Sequence, residues 1–396
     1  MNANVNDEKI FTKPFFLVFG ALLFSALVMY ALMSTVTEYA TALGSSATIA
    51  GLVSGLYIFG GLCSRIYSGN ALEKVGWKKI ALVFMSIHFL SCLLYFVVSD
   101  VTLLLAVRFI HGIGFGATAN AIVTIASDVL PKKRFGEAFG YFMLGTTIAV
   151  GLGPYISGFL YDCVGPYGCF GAASVFSALA LIFIYFVDVS AHDPGNNPEK
   201  VKKEDDGYSG IEKVFEIKAI PVSLFTALTS LGYVSILSFY RLYAVEVNLT
   251  TAFSWFFIIY SVVLVLSRPI AGKIQDRHGD RIICFTGIIA QSVGLFLIAV
   301  YPSTLTVIVC AVCAALGFGT LNSACTTIVT RNSSEHRRSY AVSTFFIFCD
   351  ATMGFGPALL GSFVSATSGY APVYLISSFI TILALPIAVY ALRKGN

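Results

Sequence analysis

From residue 14 to residue 37 the chain carries no charged side chain. That run exceeds the roughly 20 residues needed to cross a hydrocarbon layer about 30 Å thick at about 1.5 Å per residue. Eleven more apolar runs follow, and the twelve together cover 14–37, 47–69, 79–98, 102–126, 136–161, 167–187, 219–241, 250–272, 281–301, 303–329, 339–365 and 371–392. None alternates polar and apolar residues as the strands of a membrane barrel must. Inside lipid each backbone N–H and C=O has to find its partner within the segment, so the runs are expected to be helices. Only 12% of the residues are charged and 57% are hydrophobic, whereas a soluble domain carries about 25% charged residues. The expected class is an all-α polytopic membrane protein. The first run is too long for a removable signal and lacks a small-residue cleavage site, so it is expected to remain as a span.

One long polar segment, 188–218, is rich in charge and turn formers and leaves six runs on each side. The organisation expected is an N-terminal six-helix bundle at 1–187, a cytoplasmic central loop at 188–218 and a C-terminal six-helix bundle at 219–396. Basic residues fall mostly on one face. Lys9, Lys13, Lys74, Lys78, Lys79, Lys132, Lys133 and Arg134 are followed by clusters at 200–218, 273–281, 331–338 and 393–394. The opposite face holds Arg241, while Arg65, Arg108 and Arg268 lie in or at the edges of spans. Basic loops stay on the cytoplasmic side, so both termini are expected there and the protein in the cell membrane. The net charge of +4 then reports topology, not affinity for nucleic acid. Most of the nine cysteines lie in apolar runs as small packing residues, and Cys163 and Cys169 flank an external turn at a spacing that allows them to pair.

The charged knot RIYSGNALEKVG at 65–76 returns 203 residues later as RPIAGKIQDRHG at 268–279. The same offset superposes Gly114 on Gly317, Gly116 on Gly319, Thr124 on Thr327, Arg134 on Arg337 and Ala138 on Ala341. It carries Gly151, Gly153, Pro154 and Gly158 onto Gly354, Gly356, Pro357 and Gly361, with no gap from 48 to 158. Six spans return a chain to the side it started from, so both knots are expected in cytoplasmic loops. Two pseudo-twofold-related six-helix bundles of this kind form the parallel repeat of some secondary transporters. Gly153, Pro154, Gly356 and Pro357 are the expected bending points of their helices.

The stretch GNALEKVGWKK, Gly69 to Lys79, resembles the loop 2–3 signature of the major facilitator superfamily, Gly-x-Leu-Ala-Asp-Arg-x-Gly-Arg-Lys-Lys. The second copy, Gly272 to Arg281, keeps Asp276, Arg277 and Gly279. RFIHGIGFGA, with Arg108, Gly112 and Gly116, is similar to the family's second signature. GLGPYISG is similar to the Gly-Pro signature of its proton-coupled drug and metabolite antiporters. Glu73 and Trp77 depart from the pattern, standing where the family has Asp and Arg. The resemblance implies a twelve-helix secondary transporter acting as a monomer in the lipid bilayer, with a small-molecule substrate, protons as the coupling ion and no cofactor. It implies proton-coupled efflux by alternating access. The alternatives are uptake or export of a specific metabolite, such as a sugar or amino acid, and a ligand sensor without net flux.

Asp350 lies eleven residues into its run, about 16 Å deep. An ionised carboxylate there costs on the order of 3 kcal/mol on insertion scales, and such groups mark pathways, so Asp350 is expected to take up a proton or bind a cationic substrate. Arg108 and His111, one turn apart, offer a fixed cation and a titratable ring for an anionic substrate or for proton coupling. Asn120 and Asn322 lie on spans that the resemblance makes cavity-lining, which makes them possible substrate contacts. Gly69, Glu73, Gly76, Asp128 and Arg134, with Gly272, Asp276, Arg277 and Gly279, are the expected cytoplasmic gate. His88 is not expected to carry function, because the resemblance implies that span three tends to be peripheral. Gln291 is expected to make an interhelical hydrogen bond. Glu38 closes span one at the outer surface, and no acid precedes it from Phe15 to Thr37, where drug exporters often carry one. Enzymatic motifs fail: GIGFGA sits inside an apolar helix, there is no G-x-x-x-x-G-K-[ST], and no metal-ligand cluster is written in the chain. The chain is not expected to be an enzyme.

Overall fold

The computed structural model describes residues 9–131, 135–189, 215–333, 338–367 and 369–393. Arg134 and the side chains of Glu73 and Asp276 lie outside the described residues. The first half contains α1 (Lys13–Ala42), α2 (Ala47–Val75), α3 (Trp77–Leu94), α4 (Val101–Val129), α5 (Phe135–Val164) and α6 (Pro166–Phe186). The second contains α7 (Ile220–Glu246), α8 (Thr250–His278), α9 (Asp280–Val300), α10 (Thr304–Ala314), α11 (Thr320–Arg331), α12 (Arg338–Thr367), α13 (Ala371–Ile382) and α14 (Ala384–Arg393). No strand occurs among the described residues. Twelve stretches of them are long and apolar enough to cross a membrane. Here α10 and α11 form one span through the π-helical segment Ala315–Gly319, and α13 and α14 form another.

Local chemistry sets several helix starts. The Asp100 carboxylate accepts from the Leu103 N–H at 2.9 Å and opens α4. Ser303 and Thr306 form a capping box at α10, and Pro166 occupies the first turn of α6. The knots differ from expectation. Residues 65–75 and 268–278 are not loops but the last turns of α2 and α8. The apolar parts of these helices end at Arg65 and Arg268, yet the helices run on, because adding a residue to a formed helix costs far less than nucleating a new one. The turn itself falls on one residue. Gly76 has φ 106° and Gly279 has φ 83°, a region that side chains with a Cβ avoid. These glycines stand at the same place in the repeat, so a single backbone requirement explains why both knots end in Gly.

The cations that follow are also used in parallel. Lys78 Nζ donates to the Val187 carbonyl at 2.7 Å, at the end of α6. Arg281, its counterpart, donates to the Leu392 carbonyl at 3.3 Å, near the end of α14. In each case a positive charge meets carbonyls left open at a helix C-terminus. The second copy adds an Asp280 carboxylate that accepts from Gln275 Nε2 at 2.9 Å and from the Arg331 guanidinium.

The chain packs into two compact units, 1–35 with 56–204, and 36–55 with 205–396. The first has a core around Phe15, Met85, Ile122, Phe142 and Ile184. The second has one around Phe225, Ile288, Leu321, Phe345 and Leu392. Segment 36–55 belongs with the second unit because its helix backbone meets α12 directly, Gly51 against Pro357 and Gly55 against Gly354. Within this unit Arg241 Nε donates to Glu38 Oε2 at 2.6 Å, joining the last turns of α1 and the far end of α7. The partners are 203 residues apart, the offset of the repeat. Their side chains are 11% and 19% exposed, so the pair is only partly screened. A double-mutant cycle with Glu38→Gln and Arg241→Gln, read by thermal unfolding, is expected to show a coupling of about 1 kcal/mol. A coupling of zero contradicts a structural role for the pair.

The helices that carry the repeated Gly-Pro pairs, α5 and α12, continue through Pro154 and Pro357. Gly153 packs on Tyr30 and Ala31, and Gly356 on Leu231 and Val234. A departure from helical geometry lies at Gly317, φ −79° and ψ −106°, inside the tenth span. Cys163 and Cys169 are free thiols, and Cys169 donates to the Ser157 carbonyl at 3.1 Å.

Candidate functional site

Arg108 is 0% exposed, two turns into α4. A guanidinium removed from water needs close partners. Its Cζ lies 4.4 Å from the centroid of the Tyr57 ring. Nη1 donates to Tyr95 Oη at 3.4 Å, and Nη2 lies 3.9 Å from Met33 Sδ. A desolvated cation on an aromatic face is worth about 2 kcal/mol. Gly112 is what brings Tyr57 this close, since a Cβ there would stand 2.0 Å from the Tyr57 carbonyl oxygen. The glycine of the second signature is thus a spacing device that lets α2 and α4 touch backbone to backbone.

His111, also 0% exposed, is one turn further along the same face. Its Nδ1 lies 2.9 Å from Tyr95 Oη and its Nε2 3.5 Å from Cys92 Sγ. The His88 ring packs against it with centroids 4.4 Å apart. His88 is wholly buried, because Gly114 lets α3 approach α4 at the His88 backbone. Neither His88 ring nitrogen has a hydrogen-bond partner. Asn120, twelve residues beyond Arg108 and so about 18 Å along the helix, donates to Ser68 Oγ at 3.1 Å and the Arg65 carbonyl at 3.5 Å. It is half-buried and fastens α4 to α2.

The second unit carries the other candidates. Asp350 is half-buried midway along α12, beside the buried Cys349. Asn322 is half-buried on α11, one turn past the π-helical segment. Gln291, buried on α9, donates from Nε2 to the Thr229 carbonyl at 2.9 Å, the interhelical bond expected of it. Its side chain also packs against Gly317 at the break. Of the gate positions, Gly69 lies in α2, Asp128 is half-buried at the end of α4, and Gly272 and Arg277 are exposed on α8.

The structure thus brings together Arg108, His111, His88, Tyr57, Tyr95 and Cys92 in one buried polar cluster of the first unit. Tyr57, Tyr95 and Cys92 carried no sequence signal, because tyrosine and cysteine count as ordinary apolar residues within a span. No group of three His, Cys, Asp or Glu among the described residues gathers as a metal site.

Among the described residues, twelve long apolar spans in two units, with ionisable groups held within them, mark a polytopic membrane protein. The sequence profile of the Major Facilitator Superfamily matches residues 18–251 and 222–395. The chain belongs to that superfamily. It is 25% identical over 352 residues to an uncharacterised MFS-type transporter of Methanocaldococcus jannaschii, covering 87% of this chain and 89% of that one. Multidrug resistance protein 2 of Bacillus subtilis is 20% identical over 402 residues, covering 100% of this chain and 98% of that one. Among solved structures, the nucleoside transporter NupG superposes with a TM-score of 0.79 at 15% identity, covering 96% of this chain and 100% of that one. A POT family transporter superposes with a TM-score of 0.80 at 14% identity, covering 96% of each chain. At such identities these structures share the fold alone.

Proposed function

We propose that the protein is a proton-coupled secondary transporter that exports a small molecule from the cell by alternating access. The observation that supports this reading most is Asp350. A carboxylate halfway along a span is costly in lipid, and its partial exposure gives protons or a cation a way to reach it. Protonation in one orientation and release in the other lets a proton gradient drive the cycle. Arg108 supplies the fixed positive charge in the other unit. The multidrug resistance proteins among its relatives favour export. The Lys and Arg bias puts both termini in the cytoplasm, and the protein acts as a monomer in the cell membrane.

A second reading, transport of one specific metabolite, is favoured by Arg108. A buried guanidinium walled by Tyr57 and Tyr95 suits a defined anionic partner better than a range of cations. The solved neighbours of the same fold include nucleoside and peptide transporters. Proteoliposomes loaded with a pH-sensitive dye and challenged with cations, sugars and amino acids separate the two readings. Export coupled to protons gives a luminal pH change with one class. A substrate flux with no proton movement for any class overturns the coupling.

A further inference from the structure

We infer that Tyr95 and His111 are positioning residues that aim the Arg108 guanidinium, with His111 held as the neutral Nε2–H tautomer and not acting as a proton carrier. The inference follows from assigning each proton once. Arg108 has only donors, so at Nη1 it donates and Tyr95 Oη accepts. The Tyr95 hydroxyl is buried, and among the described residues the one other hydrogen-bond partner it meets is His111 Nδ1, at 2.9 Å. The phenol proton therefore points at Nδ1. That nitrogen then has its lone pair free to accept, and the ring proton sits on Nε2, facing Cys92 Sγ at 3.5 Å. The bonds run in one direction, from α4 through Tyr95 back to α4 and on to Cys92 of α3.

A second proton on His111 breaks this order at two places. Nδ1–H would face a phenol oxygen already receiving from Arg108, and the Tyr95 proton would lose its acceptor inside the protein, which costs about 1–3 kcal/mol. It would also set a second cation beside a buried one. Among the described residues, the groups facing His111 offer no compensating negative charge. They are Tyr57 from α2, His88 and Cys92 from α3 and Tyr95 beyond the end of α3, with Arg108 one turn earlier on α4. Phe170 of α6 stacks on Tyr95 from the other side, 5.2 Å between centroids, and keeps its hydroxyl in place. With Tyr57 under the guanidinium plane and Tyr95 at its edge, the cation has one orientation.

The inference deepens the role given to Arg108 under the proposed function, and its test needs no substrate, so it stands or fails apart from transport. The whole protein, labelled with [15N]histidine and [15N]arginine and held in lipid nanodiscs, is read by NMR. His111, assigned by its loss in His111→Gln, is expected to show the neutral Nε2–H form across about pH 5–8, the range in which a free imidazole changes charge. Arg108 is expected to show guanidinium protons protected from exchange. Tyr95→Phe removes the link and is expected to lose that protection. His111→Gln, whose amide can accept from Tyr95 and donate to Cys92, is expected to keep it, and His111→Leu to lose it. A His111 that protonates in this range, an Nδ1–H tautomer, or an Arg108 signal unmoved by Tyr95→Phe each overturns the inference. Should His111→Gln fail to fold, His111→Leu supplies the assignment; should Tyr95→Phe fail, the tautomer of the unaltered protein decides alone.

Discussion

Arg108→Ala is expected to cut transport by roughly two orders of magnitude while leaving a folded protein. The guanidinium is wholly buried, lies on the Tyr57 face and donates to Tyr95. Hydrogen bonds to a charged group contribute about 1.5–3 kcal/mol each. Losing the contacts a substrate or proton cycle makes with this group is therefore expected to lower flux roughly a hundredfold, at about 1.4 kcal/mol per factor of ten. Arg108→Lys keeps the charge, but not the planar fork that stacks on Tyr57 and reaches Tyr95, so it is expected to fall by more than about tenfold. Stability behaves differently. Removing a buried cation also removes its desolvation cost, so the melting temperature is expected to shift little. Flux and melting temperature measured on the same proteoliposome preparation check both halves. Transport at the unaltered rate by Arg108→Ala removes this residue from the mechanism.

Asp350→Asn separates coupling from passage. Asparagine keeps the size of the side chain and its place on α12 but stays neutral at every pH. Uphill movement of substrate against its own gradient, driven by protons, is expected to disappear. Downhill exchange of labelled for unlabelled substrate is expected to persist. The expected signature is thus loss of accumulation together with loss of pH dependence, and not a general loss of activity. Proton-driven accumulation at the unaltered rate contradicts a coupling role for Asp350.

Much of this architecture was legible because it is periodic. Apolar runs of membrane length, a repeat at one offset and a basic bias between loops are properties of the chain read end to end. Arg108, Asp350 and Gln291 stood out because a polar group in an apolar run is rare. Partnership was not legible. Tyr57 and Tyr95 have the same composition value as the many aromatic residues that face lipid, and only the crossing of α2, α3 and α4 turns them toward Arg108. The burial of His88 was not legible for the same reason, since it is decided by Gly114 on another helix. The knots were read as loops because polarity was taken to end a helix. Lipid sets where the apolar part of α2 stops, while the backbone stops only where Gly76 takes φ 106°. The break in the tenth span falls at Gly317, in a run that holds no proline to mark it.

Substrate flux under imposed pH gradients of either sign tests the account most directly. Purified protein in proteoliposomes, supplied on both sides with equal concentrations of the substrate found in the panel, starts with no driving force except the gradient. The account predicts net movement that reverses when the gradient is reversed and vanishes when it is collapsed by a protonophore. Net flux that keeps the same direction and rate in all three conditions contradicts it.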